Sequence, residues 1–128
     1  MRRFLTLILT GLVIAAGSDA AADLSGNLYG VLTAAGSPYT VIGDLSIPAG
    51  NALTIEPGCQ LSFAGPYQLH VQPNATLRAI GTAADEISFT AADTNVRWGG
   101  IYLDNVNPAT QITFSRIEYA AQIGTALG

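Results

Sequence analysis

The sequence predicts an all-β fold in which short strands stack as the coils of a three-sided solenoid. The first observation behind this prediction is a leucine at every eighth residue, and each leucine opens an apolar–polar–apolar triplet. Side chains alternate between the two faces of an extended chain, so the outer residues of each triplet face a core and the middle one faces water. The five triplets begin at Leu45, Leu53, Leu61, Leu69 and Leu77.

Turn-forming residues between the triplets are the second observation. They occupy 48–51, 56–58, 64–66 and 73–74, and they are rich in Pro, Gly and Asn. Pro fixes φ, and Gly and Asn accept a left-handed backbone, so each group ends its strand after a few residues.

The third observation is that the chain matches itself after 24 residues. Sandwiches, barrels and solenoids all contain short strands, so the eight-residue spacing alone does not choose among them. A three-sided solenoid places residue i beside residue i+24, and Gly50 then meets Asn74, which also accepts a left-handed conformation. The match favours stacked coils. The aligned apolar pairs are Leu45–Leu69, Ile47–Val71, Leu53–Leu77 and Ile55–Ala79.

The first 22 residues have the pattern of a secretory signal peptide. Arg2 and Arg3 form a short basic region, an apolar run covers 4–16, and alanines at 20–22 supply a cleavage site. The apolar run is too short to span a bilayer comfortably, and no cysteine near residue 20 offers a site for a lipid. We therefore predict an exported product, secreted or at the cell surface, with no membrane span after cleavage.

The predicted mature chain is acidic. It has three arginines, no lysine and eight Asp and Glu residues, so its net charge is three minus eight, or −5. Such a surface repels phosphate groups, which makes nucleic acids and anionic membranes unexpected partners.

Two single residues carry chemistry of their own. Cys59 is the only cysteine, so it forms no internal disulfide or cysteine metal cluster, and we expect it to pack as a small buried side chain. Asn74 begins the sequon Asn-Ala-Thr, which matters only where the host glycosylates exported proteins.

The remaining segments divide into strands and loops. Residues 23–38 are rich in Gly, Ser and Ala and predict an N-terminal linker or loose cap, and residues 39–128 hold the coils. Beyond the triplets, strands are predicted at 39–42, 87–90, 98–103 and 112–119, with loops at 43–44, 81–86, 91–97 and 104–110.

Four parts of the chain carry a resemblance to known proteins. They are 47–58, 77–82 followed by 87–90, 98–101, and 117–120. Together they resemble the opening coils of secreted bacterial right-handed parallel β-helix proteins of the pectate-lyase-like class. The resemblance covers about residues 38–128 and implies about two to three coils of a right-handed parallel β-helix. It says little about function, because such coils occur in lyases, hydrolases, adhesins and uncharacterised surface proteins.

The C-terminal end is predicted to be open. A solenoid needs about three repeats and capped ends, and this sequence stops at Gly128, within a predicted coil. We expect the N-terminal part of a longer protein, with self-association through the open coil end as the minor alternative.

No catalytic, cofactor-binding or metal site is predicted. Lyases and hydrolases need a base beside a charge-stabilising group, or two carboxylates about 5–10 Å apart. Stacking is expected to bring together only Ser46 with His70, Thr54 with Arg78, and Ser62 with Ser88. The outward residues are Ser46, Thr54, Ser62, His70, Arg78, Ser88, Tyr102, Thr113 and Glu118.

The remaining candidates for chemistry have simpler explanations. His70 and Arg78 are expected on adjacent faces as solvated surface, and Asp85 and Glu86 are expected to face water from a turn. Oxygen atoms of Asp104, with Asn105 and Asn107, suit calcium, but loop structure explains these residues as well.

Three functions therefore remain open. The first is a non-catalytic structural or adhesive module, whose partners would be polysaccharides or cell-surface components. The second is the N-terminal part of a carbohydrate-active enzyme with active coils further downstream. The third is an ice- or crystal-binding surface, against which the unlike pairs Ser46–His70 and Thr54–Arg78 argue.

Export gives the first testable expectation. The product recovered outside the cytoplasm should begin near Asp23, because the small residues at 20–22 precede it. N-terminal sequencing and intact mass measure this directly, and an exported product that retains Met1 would contradict the signal-peptide prediction.

Overall fold

Parallel strands make up most of the structure. The computed structural model describes residues 22–121, so the predicted signal peptide lies outside the described residues apart from Ala22. One short 3-10 helix, Ala34–Gly36, accompanies the strands. The strands are β1 (Asp23–Asn27), β2 (Gly30–Leu32), β3 (Tyr39–Ile47), β4 (Ala52–Ile55), β5 (Gln60–Phe63), β6 (Gln68–Val71), β7 (Thr76–Ile80), β8 (Ile87–Ala91), β9 (Gly100–Leu103), β10 (Gln111–Thr113) and β11 (Ser115–Ile117).

The strands form three stacks, although they belong to two sheets. Strand β3 takes part in two of the stacks. Its first residues pair with β5, which continues to β8 and β11, and we call this the first stack. Its last residues pair with β6, which continues to β9, and this is the second stack. Strands β2, β4, β7 and β10 form the third stack as a separate sheet. From β4 to β11, the chain visits the third, first and second stacks in a fixed order.

The register confirms the predicted 24-residue match. Leu45 pairs with Leu69, and Leu53 pairs with Leu77, as the sequence predicts. Gly50 and Asn74 both have positive φ, 78° and 65°, so the corner between the second and third stacks uses the predicted left-handed residues.

The interior is apolar and follows the alternation of the strands. Both outer residues of each predicted triplet are buried, and among the described residues no polar or charged side chain is buried. Trp98 is fully buried, and its ring stacks on Phe63 with centroids 4.1 Å apart. Its indole Nε1 donates to the carbonyl oxygen of Glu118 at 2.8 Å, which satisfies the one polar atom of the ring.

The segment 23–38 forms two of the paired strands. It contains β1 and β2, which pair with β3 and β4, and it buries Leu24, Leu28 and Leu32 at the N-terminal end of the stacks. The structure thus has paired strands in the segment for which the sequence predicted a linker or loose cap. The sequence analysis did not predict these two strands, because the buried leucines of this segment lie four residues apart, rather than two.

Three other predicted boundaries shift. β3 runs through Gly43 and Asp44 without a turn, because neither residue has a positive φ and the Asp44 carboxylate accepts from the backbone N–H of Gln68 at 3.0 Å. The predicted strand 98–103 begins only at Gly100, with Trp98 in an isolated bridge. The predicted strand 112–119 divides into β10 and β11 at Phe114, whose φ is 44°.

One predicted pair is wrong. Ser62 lies beside Thr90, and Ser88 lies beside Gln60. The loop before β8 lengthens this coil, so Leu61 pairs with Phe89, 28 residues later. Because the loop adds residues between the stacked strands, a constant repeat length does not give the register here.

Replacement of Leu53 by Asp tests the assigned core. Leu53 is 0% exposed, so Leu53→Asp places a carboxylate in an apolar interior and should lower the free energy of unfolding by roughly 3–5 kcal/mol. Thr54→Asp is the matched control, because Thr54 is exposed on the same strand and lies beside Arg78. Thermal melts followed by circular dichroism measure both, and equal melting temperatures would refute the assigned orientation of β4.

Candidate functional site

Among residues 22–121, the largest group of polar side chains in contact lies on the outer face of the second stack. Ser46, His70 and Tyr102 are register partners on β3, β6 and β9, and alternation turns them outward while Leu69 and Val71 enter the core. We call the five residues of this group the polar row. Its members are Ser46, His70, Gln72, Tyr102 and Asp104.

His70 is the centre of the polar row. Its Nε2 lies 3.3 Å from Asp104 Oδ2, and its Nδ1 lies 3.5 Å from the amide nitrogen of Gln72. The ring centroids of His70 and Tyr102 are 4.7 Å apart, with the planes tilted by 45°. The same Gln72 amide nitrogen lies 2.9 Å from Ser46 Oγ, so one line of contacts joins four polar side chains.

One tautomer of a neutral imidazole fits these contacts. A proton on Nε2 lets His70 donate to Asp104, and Nδ1 then accepts from the Gln72 amide. Both ring nitrogens are occupied in this arrangement. Sequence analysis treated His70 as solvated surface, whereas its side chain is only 29% exposed and is held by three neighbours.

The polar row lacks the geometry of an activated nucleophile. A serine nucleophile needs its hydroxyl in contact with the base that removes its proton. Here Gln72 stands between Ser46 and His70, and an amide NH₂ is a donor that cannot accept that proton. Asp104 is the only carboxylate in the row, so the two-carboxylate arrangement of hydrolases is not formed either.

Arg78 belongs to a different surface from His70. It lies on β7 in the third stack, where its Nη1 donates to the carbonyl oxygen of Ala109 at 3.0 Å. His70 and Arg78 therefore lie in separate sheets, as expected from their spacing.

The oxygen atoms considered for calcium have partners in the loop after β9. The carboxylate of Asp104 faces His70, and Asn107 Oδ1 accepts from the backbone N–H of Ala109 at 2.8 Å. The backbone carbonyl oxygen of Asn105 accepts from the backbone N–H of Asn74 at 3.0 Å. Within residues 22–121, no three His, Cys, Asp or Glu side chains are grouped as a metal site would require.

The remaining predicted carboxylates lie at the surface. Glu86 Oε1 accepts from Arg116 Nη2 at 3.1 Å, and both side chains are largely exposed. A pair of this kind adds little stability, about 0–1 kcal/mol. Glu118 is half-buried and contributes its backbone carbonyl to Trp98, rather than its carboxylate to a site.

A column of hydroxyl side chains on the first stack was missed by the sequence analysis. Thr40, Ser62 and Thr90 are register partners on β3, β5 and β8. The longer coil before β8 hid this column, because a constant repeat does not align Ser62 with Thr90. In the neighbouring outward column of this stack, the register partners are Gln60, Ser88 and Arg116. The all-hydroxyl pattern is therefore limited to the single column of Thr40, Ser62 and Thr90.

Cys59 is a core residue, as predicted. Its side chain is fully buried, and its thiol donates to the carbonyl oxygen of Leu32 at 3.5 Å. Burial raises the pKa of the Cys59 thiol to about 11 from an ordinary value of 9.0. The reactive thiolate is then scarce at neutral pH, so Cys59 is unsuited to nucleophilic chemistry. Burial also raises the pKa of Tyr39, whose hydroxyl donates to the carbonyl oxygen of Thr33 at 2.7 Å.

The chain has no significant match among protein-family models, curated proteins or solved structures. No helix within the described residues has the length and apolarity needed to cross a membrane.

The buried thiol should make stability fall at high pH. The unfolded thiol loses its proton near pH 9 and the folded one near pH 11, so the unfolded state gains stability as the pH rises between these values. The free energy of unfolding should fall by about 2–3 kcal/mol through Cys59 alone. Urea denaturation at several pH values measures it, with Cys59→Ala as the control. If the free energy of unfolding changed with pH by the same amount in both proteins, this would contradict the burial of the thiol.

Proposed function

We propose that the chain is a non-catalytic structural or adhesive module of an exported or cell-surface protein. The observation that carries this proposal is that the side chains of the polar row hydrogen-bond to one another. His70 has both nitrogens occupied, and Gln72 separates it from Ser46. Within the described part of the chain, the largest polar group thus has its hydrogen-bonding atoms directed at one another, rather than arranged as a reacting centre.

The architecture we propose is a right-handed parallel β-helix. The fixed order in which the chain visits three parallel stacks supports a coil that returns to each stack in turn. Crossovers between parallel strands of one sheet are right-handed in the great majority of proteins, because of the twist of the strands. This preference supports the right-handed form that the resemblance implies.

A stack of this kind suits a role as a spacer or adhesive surface. Each outward column is fixed by main-chain hydrogen bonds between strands about 4.8 Å apart, so surface groups keep their spacing without a ligand. The half-buried aromatic ring of Tyr102, beside hydrogen-bonding groups of Gln72 and Asp104, suits contact with sugar rings. Polysaccharides or cell-surface components are the partners we propose.

The second candidate is a polysaccharide lyase or hydrolase. The contact between His70 and Asp104 favours it, because a histidine held by a carboxylate is a common acid–base element. In this alternative, the downstream coils of a longer protein would supply the charge-stabilising partner.

An activity assay tests whether this chain itself is catalytic. The purified chain should release no unsaturated products and no new reducing ends from pectate or alginate, with or without calcium, because the polar row lacks a free base. Ultraviolet absorbance and reducing-sugar assays measure this. Turnover that disappears in His70→Ala or Glu118→Ala, and persists in the surface control Thr54→Ala, would establish the enzyme instead.

A binding assay tests the adhesive role. Co-sedimentation with insoluble polysaccharide should show binding without turnover, and Tyr102→Ala should weaken it several-fold because the aromatic contact is lost. Val31→Ala is the control, since Val31 is an exposed apolar residue on the third stack. Equal loss of binding in both variants would exclude the polar row as the contact surface.

A further inference from the structure

The outer face of the second stack carries two carboxylates. The Asp44 carboxylate accepts from the backbone N–H of Gln68, the first residue of β6, at 3.0 Å. The backbone N–H of Asp104 donates to the carbonyl oxygen of Val71, the last residue of β6, at 3.0 Å, and its carboxylate faces His70. The two acidic residues are thereby held at opposite ends of β6, with His70 between them.

Two of the three arginines in the predicted mature chain lie on the other stacks. Arg78 lies on β7 in the third stack, and its Nη1 donates to the carbonyl oxygen of Ala109 at 3.0 Å. Arg116 lies on β11 in the first stack, where its Nη2 donates to Glu86 Oε1 at 3.1 Å. Both guanidinium groups are therefore held by partners away from His70.

The third arginine, Arg97, lies in the loop between β8 and β9. Its Nη1 donates to the carbonyl oxygen of Ala120 at 3.4 Å. Asp93 lies in the same loop, so this loop adds no net charge beside the second stack. In the described part of the chain, His70 is thus the only group on the outer face of the second stack that can become positive, and its contacts fit the neutral ring.

The charge of this face distinguishes two classes of polysaccharide. A polyuronate carries a carboxylate on each sugar, and at this face it would meet Asp44 and Asp104, which repel it. A neutral sugar instead offers hydroxyl groups, which donate charge-assisted hydrogen bonds to carboxylates. The aromatic ring of Tyr102 suits the apolar side of a sugar ring of either class. The face therefore has the acceptors that a neutral sugar needs and lacks the fixed cation that a uronate needs.

We propose that the polar row and Asp44 together bind neutral polysaccharides and exclude polyuronates. Asp44 and Asp104 accept hydrogen bonds from sugar hydroxyls, and they repel a sugar carboxylate that approaches the same positions. Tyr102 contacts the sugar ring of either class, so the two carboxylates set the selectivity and the aromatic ring does not. This inference rests on the proposed adhesive function and names the class of polysaccharide that the surface binds.

Polygalacturonate and its methyl ester are the matched ligands, because esterification neutralises each carboxylate and leaves the sugar backbone unchanged. Beads coated with either polymer, or with neutral xylan, should deplete the purified chain from solution according to its affinity. Near neutral pH, with a chelator of divalent cations, we expect binding to the ester and to xylan, and at least tenfold weaker binding to polygalacturonate. Salt at about 1 M should reduce this difference, because it shortens the range of the repulsion to about 3 Å.

Asp44→Asn and Asp104→Asn test the two carboxylates. Asn keeps an oxygen that can accept from the Gln68 backbone and from His70, so each variant loses the charge and retains these hydrogen bonds. In each variant, the preference for the ester over polygalacturonate should fall at least threefold. Asp85→Asn is the matched control, because it removes the same charge from the exposed loop between β7 and β8, on the other two stacks. Its preference should be unchanged.

Several results would overturn the proposal. Equal or tighter binding of polygalacturonate would overturn the selectivity and leave the adhesive function standing. If a chain with the circular dichroism of the folded protein bound none of the three polymers, the adhesive function and this inference would both be wrong. An equal loss of preference in Asp85→Asn and Asp104→Asn would assign the selectivity to net charge, rather than to this face. Binding of polygalacturonate that requires calcium would also overturn the exclusion, because a bridging ion would then hold the uronates.

Discussion

The register of parallel strands across the apolar interior is the constraint on which the rest of the structure depends. Leu53 lies beside Leu77 because their strands hydrogen-bond in that register, and the hydrogen bonds form because both side chains enter the same core. A shift by one residue would turn every buried side chain toward water. Surface positions are thereby fixed too: once Leu69 is inside, His70 must be outside, beside Ser46 and Tyr102.

The sequence predicted the interior better than the surface. Alternation is a local property, so the burial of Leu53, Leu69 and Leu77 could be read from single triplets. The contact between His70 and Asp104 joins residues 34 apart, and Asp104 lies in a loop, outside any repeat. Its position depends on how the chain leaves β9, which no periodic pattern encodes. The candidate site was therefore missed, although the face that carries His70 could be predicted.

The structure departs from the repeat where a longer loop changes the register or where a small residue lets a strand continue. The longer coil before β8 moved Ser62 away from Ser88, and Gly43 allowed β3 to continue through an expected turn. A Cβ at Gly43 would lie 3.1 Å from the Cβ of Ser25, so the close approach of β1 favours a glycine there. Gly and Asp usually mark turns, but here the packing of a neighbouring strand selects the extended form.

The continuity of β3 makes the first and second stacks one cooperative unit. Its nine residues hydrogen-bond to β1 along both halves, to β5 at one end and to β6 at the other. Local opening of either stack must therefore disturb backbone that the other shares. The third stack shares no strand with them and is joined to them through turns and through side chains of the common apolar core. Resistance to partial unfolding is thus concentrated on one strand near the N-terminal end.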